Sequence, residues 1–172
     1  MTIAPASLAF LDQGLAPDGP ARFDLVVLPV FTDERPLTGL AGFFDWRLAG
    51  ALSAMLRRQL CTGASGEQVL TVSRKTACAV RLVTVGLGAR ATFDDAAAAR
   101  AGEQILGLCQ TLVGETVAVG VPGGRRGHAA ARRLLAHLLA AHEAAQAAPG
   151  HAGSQLWIVA APEAVEILTA PA

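Results

Sequence analysis

The stretch that most limits what this chain can fold into runs from Val80 to Cys109 and reads VRLVTVGLGARATFDDAAAARAGEQILGLC. Val80 to Val85 is a β-branched run that stops at Gly86-Leu87-Gly88. After a short loop, apolar residues return at helical spacing, at Ala98, Ala101, Ile105, Leu108, Cys109 and Leu112. That pattern is a buried strand, a tight turn and a packed helix. Asp94 is placed to cap the helix, because its carboxylate accepts from the unpaired N–H groups of the first turn.

The same alternation extends in both directions. Ser7 to Leu11 reads as a short edge strand, followed by the turn-rich DQGLAPDGPAR. Asp24 to Phe31, DLVVLPVF, has the continuous apolar run of a strand covered on both faces, with Pro29 restricting its ladder. From Leu40 to about Leu60 the spacing predicts one helix, with Phe44, Leu48, Leu52, Met55 and Leu56 on its buried stripe. A short strand at Val69 to Ser73 precedes the Val80 run. Thr116 to Val121 is a further strand, and His128 to about Ala148 is the longest helix, burying Ala131, Leu134, Leu135, Leu138, Leu139 and His142. Gln155 to Ala161 gives a last strand, and Pro162 to Thr169 a closing helix with proline at its first position.

Strands alternating with helices through short glycine-rich turns imply an α/β fold, a mixed but mostly parallel sheet with helices on both faces. There is no internal repeat and no dividing linker, so residues 1–172 are expected to form one domain. A chain of this length buries roughly 70% of the surface its unfolded form exposes, enough for its own core.

Composition narrows the partners. The formal net charge is zero, with 14 basic and 14 acidic residues, which removes the electrostatic attraction a nucleic-acid binder relies on. Cys61, Cys78 and Cys109 are widely spaced with no CxxC, a pattern that suits a reducing cytoplasm and neither a disulfide framework nor a zinc knuckle. No stretch reaches the roughly 18 uninterrupted apolar residues of a membrane span, and the N-terminus lacks the basic start of an export signal.

Two glycine-rich turns are candidate sites. Gly86 to Ala91 fits G-x-G-x-x-A after a strand, making Gly86 and Gly88 a candidate loop. In a dinucleotide fingerprint, however, the glycines open the helix directly, whereas here Thr92-Phe93-Asp94 intervenes and an acidic residue at the helix start repels a pyrophosphate. A plain strand-ending turn explains the loop better. The second candidate is Gly123, Gly124, Arg125, Arg126 and Gly127, at the mouth of the His128 helix. Backbone N–H groups at a helix start, with two guanidinium groups beside them, make a sound anion site. The alternative is that the glycines form the turn and the arginines solvate it. His137 and His142 are five apart and point away from each other on a helix, no G-x-S-x-G occurs, and neither a catalytic set nor a metal site nor a cofactor is expected.

In sequence and order, DLVVLPVF, FFDWRLAGALSAML, GASGE, VRLVTVGLG and FDDAAAARAGEQIL resemble the N-terminal domain of the leucyl aminopeptidase family, the M17 metallopeptidases. The resemblance covers about residues 20 to 148. Its most specific parts are Gly66-Glu67 and Val85-Gly86-Leu87-Gly88. It implies a three-layer, macro-domain-like α/β fold that carries no chemistry in the family, whose two metal ions sit in a separate C-terminal domain. The family's catalytic segment, Asn-Thr-Asp-Ala-Glu-Gly-Arg, does not occur in these 172 residues. The resemblance therefore implies a stand-alone, non-catalytic relative, and leaves two roles open. One is an assembly, binding or regulatory module with a protein partner or a second copy of itself. The other is a macro-type binder of ADP-ribose or a related phosphorylated molecule, with Gly123 to Arg126 nearest to the diphosphate loop.

Overall fold

The computed structural model describes residues 7–10, 23–72, 79–112, 116–122, 128–147 and 155–160. Among the described residues the strands and α-helices follow in the order β1 (Ser7–Phe10), β2 (Phe23–Val30), α1 (Gly39–Arg47), α2 (Ala51–Arg57), β3 (Gln68–Val72), β4 (Ala79–Gly86), α3 (Asp95–Thr111), β5 (Thr116–Gly120), α4 (His128–Ala147) and β6 (Gln155–Ala160). The strands form one sheet in the order β1-β6-β5-β2-β4-β3. All neighbours are parallel except β3, which runs antiparallel to β4 at one rim. This is the expected mixed, mostly parallel α/β sheet.

The alternation of side chains along a strand divides the core into two layers. Leu25, Val27 and Phe31 of β2 and its end face α3 and α4, where Ile105, Leu134 and Leu138 are fully buried. Val26, Leu28 and Val30 face α1 and α2, against Leu40, Phe44 and Leu52. Gly102 lets α3 and α4 approach closely, since a Cβ there would lie 3.3 Å from the His137 Cβ. Gly120 does the same between β5 and α1, where an added Cβ would meet the Leu40 Cβ at 2.9 Å.

Several expectations hold in detail. β1 lies at the rim opposite β3, as an edge strand should. β2 pairs with β5 only through Leu25, Val26 and Val27, so this ladder ends before Pro29, which has no N–H to donate. Asp94 caps α3 by accepting from the Ala97 N–H at 2.8 Å. One expectation needs correction. The single helix read over Leu40–Leu60 is two helices, because Leu48 to Gly50 form a turn in which Ala49 (φ 54°) and Gly50 (φ 79°) are left-handed. The closing helix expected at Pro162–Thr169 lies outside the described residues.

Candidate functional site

In open α/β sheets a ligand crevice forms beyond the C-terminal ends of adjacent strands whose connections leave in opposite directions. Here those strands are β2 and β5. β2 leads to α1 on one face and β5 leads to α4 on the other. The loop after β2, residues 31–38, and the loop after β4, residues 87–94, build the described side of this edge.

The two loops are stitched together by backbone and by charge. Leu87 N–H donates to Val30 O and Thr32 N–H to Gly88 O, each at 2.9 Å. Asp33 Oδ1 accepts from the Arg90 backbone N–H at 3.1 Å. Glu34, only 6% exposed, accepts from Thr38 N–H and from the Thr38 hydroxyl, and its Oε2 lies 3.3 Å from Arg90 Nη2. The Arg90 guanidinium also sits 4.5 Å over the Phe31 ring, which meets Phe93 edge-on. A carboxylate buried this deeply needs such a partner, because removing one half of a buried pair costs about 3–5 kcal/mol. The cluster fixes the β2 loop over its strand end and leaves the Arg90 Nη1 as a buried donor that no described side chain or backbone group satisfies.

A second arrangement lies at the end of β4. Gly86 N–H donates to Glu67 O at 2.8 Å, Gly66 N–H to Gly86 O at 3.1 Å and Gly88 N–H to Gly63 O at 2.9 Å. Any Cβ on Gly86 would sit 1.9 Å from Ala64 O. The glycine is there because the 61–67 loop passes directly over it. The loop is held from within by Glu67, whose Oε2 accepts from Thr62 and Gly63 N–H groups at 2.7 Å each. Between this loop and α3 is a cleft of about 140 Å3, lined by Ser65, Gly66, Gly86, Leu87, Ala97, Arg100, Ala101 and Gln104.

The model of the cytosol aminopeptidase family N-terminal domain matches residues 27–148, more than half of the chain. The chain belongs to this family. Comparison with curated proteins finds no match. Among solved structures, a tomato leucine aminopeptidase variant superposes on this aminopeptidase N-terminal domain with a TM-score of 0.59 at 17% identity, covering 98% of this chain and 36% of that one. The chain thus spans about a third of that enzyme. The Mycobacterium tuberculosis DarG macrodomain gives a TM-score of 0.62 at 15% identity, covering 91% of this chain and 99% of that one. A Trypanosoma brucei macrodomain in complex with ADP-ribose gives 0.60 at 20% identity, over 94% and 67% of the two chains. At these identities the likeness establishes the fold, which is macro-domain-like.

Within this aminopeptidase N-terminal domain, the two sequence candidates part. Gly86 and Gly88 lie at the end of β4, and a turn of 3-10 helix at Arg90–Thr92 separates them from α3. They are a strand-ending turn, as the sequence suggested, with Gly88 at φ 78°. Gly123, Gly124, Arg125, Arg126 and Gly127 lie outside the described residues. The buried Glu34–Arg90 pair was not apparent in the sequence, since its members stand 56 positions apart. Glu67 stood out in the sequence as half of Gly66-Glu67, a specific part of the family resemblance, but not as the group that holds the 61–67 loop. Arg100 and Gln104 carried a faint signal, being one helical turn apart on the face of α3 nearest Gly86. Among the described residues, no helix is long and apolar enough to cross a membrane.

Proposed function

We propose that the domain is a binding and assembly module that works without peptidase chemistry. The observation that carries this reading is the β3 rim. β3 is an edge strand with one neighbour, and Leu70 and Val72, which share a face, are 50% and 60% exposed. Isolated edge strands are commonly blunted by charge or proline, and Gln68 to Val72 contains neither. An apolar edge of this kind suits a second protein surface, either another copy of the chain or a separate catalytic subunit. Light scattering on the purified chain tests it. A stable oligomer that falls to monomer in Leu70→Asp supports the reading, and a monomer at all concentrations that fails to join an M17 catalytic subunit overturns it. Metal-dependent release of leucine from leucine anilide by the pure chain would overturn the non-catalytic part.

A second reading is favoured by the strand order. The β2–β5 crevice is where an α/β sheet holds a ligand, and the fold is shared with a macrodomain whose complex contains ADP-ribose. In this reading a diphosphate is held by Gly123 to Gly127 at the start of α4. Calorimetric titration with ADP-ribose, with ADP and inorganic phosphate in parallel, tests it. Saturable binding that weakens roughly tenfold or more in Arg125→Ala or Arg126→Ala, the loss of one charge-assisted bond, supports it. No saturation overturns it.

A further inference from the structure

The cleft between the 61–67 loop and α3 has the make-up of a binding site rather than a packing defect. We propose that it holds a short organic carboxylate bearing a hydroxyl or amino group. Three features carry this. Arg100 lines the cleft and makes no hydrogen bond or ion pair with any described residue. An unpaired guanidinium offers a planar fork that matches a carboxylate. The Ser65 hydroxyl, likewise without a partner among the described residues, is a second donor on the opposite wall.

Gln104 supplies the complementary group. Its Nε2 donates to Gly66 O at 2.9 Å. Because a carbonyl can only accept, that bond fixes which way the carboxamide faces, and its oxygen is left to accept from a ligand. Arg100 and Gln104 are four apart on α3, hence on one face. Leu87, Ala97 and Ala101, with the backbone of Gly66 and Gly86, complete the lining, and the three apolar side chains suit a hydrocarbon stub that phosphate lacks. The volume of about 140 Å3 is close to that of the ~150 Å3 protein cavities that take up benzene, the size of a molecule with about six non-hydrogen atoms.

The walls are set before any ligand arrives. The loop carrying Ser65 is fixed by the Glu67 carboxylate on one side and by the Gly66–Gly86 and Gly86–Glu67 backbone bonds on the other. The cleft shares no lining residue with the β3 rim and takes in none of Gly123 to Gly127, so its fate does not depend on either reading above.

Saturation-transfer NMR and calorimetry on the full chain, with L-lactate, propionate and inorganic phosphate as probes, test it. Saturable lactate binding is expected, at least fivefold tighter than propionate and tighter than phosphate, and reduced at least tenfold in Arg100→Gln. Arg100 is exposed and holds no other part of the fold, and an unchanged circular dichroism spectrum checks that the variant is folded. Absence of saturation, equal binding by Arg100→Gln, or preference for phosphate over lactate each overturns the proposal.

Discussion

A single oxygen of Glu67 collects the N–H groups of Thr62 and Gly63 and the Thr62 hydroxyl. Desolvation pulls its carboxyl upward, but those donors outweigh the pull and hold it below its ordinary value of 4.5. A group whose folded pKa is depressed contributes stability that is complete above the unfolded value and is lost as pH falls through the folded one. Glu67→Gln is therefore expected to lose about 1–2 kcal/mol at pH 7. In urea unfolding the gap to the parent should shrink as the pH drops below 4.5; a gap constant from pH 7 to pH 3 would contradict the assignment. The neighbouring Cys61 thiol is pushed up by burial first, with the Glu67 charge adding to it, while its Sγ lies 3.3 Å from Thr84 Oγ1. Burial, only partly opposed by a backbone hydrogen bond, pushes Cys109 up to about 12. Both stay protonated at neutral pH and act as small apolar fillers.

Between α1 and α2 the chain turns at Gly50, whose φ of 79° favours glycine although a Cβ there would touch nothing within 4 Å. The strain of a substitution is thus backbone strain alone. Gly50→Ala should cost about 1 kcal/mol, read as a lowered urea midpoint with unchanged slope; an unaltered midpoint would mean that the turn rearranges freely. The sequence hid this break because the stripe Phe44, Leu48, Leu52, Met55 and Leu56 stays in phase on both sides of the turn, and a lone glycine in a helical pattern is often tolerated. By contrast β2, β4 and α3 were legible to within a residue or two, since their apolar runs, the Gly86–Gly88 stop and the Asp94 cap are local signals. The candidate site was legible only in part. Gly86 announced a close approach without naming Ala64 as its cause, and the Glu34–Arg90 pair forms only when the β2 and β4 loops meet in space. No pattern within a window of a dozen residues encodes such a contact.

At the level of the whole molecule, the two rims of the sheet differ. β3 is joined to its neighbour β4 by nearby chain, whereas β1 pairs with β6 across about 150 positions, Ser7 opposite Trp157. β1 is also only four residues long. Hydrogen exchange should find its amides opening far more readily than those of β2, which is flanked on both sides; equal protection in the two strands would refute this. The pairing also sets an order of events during synthesis. β1 leaves the ribosome about 150 positions before β6, the strand it pairs with, and β2, β4 and β5 can assemble in the meantime. β1 is thus made before the strands at the sheet's centre and docks after them, and a chaperone guarding the nascent chain would have one short apolar segment to shield until β6 is made.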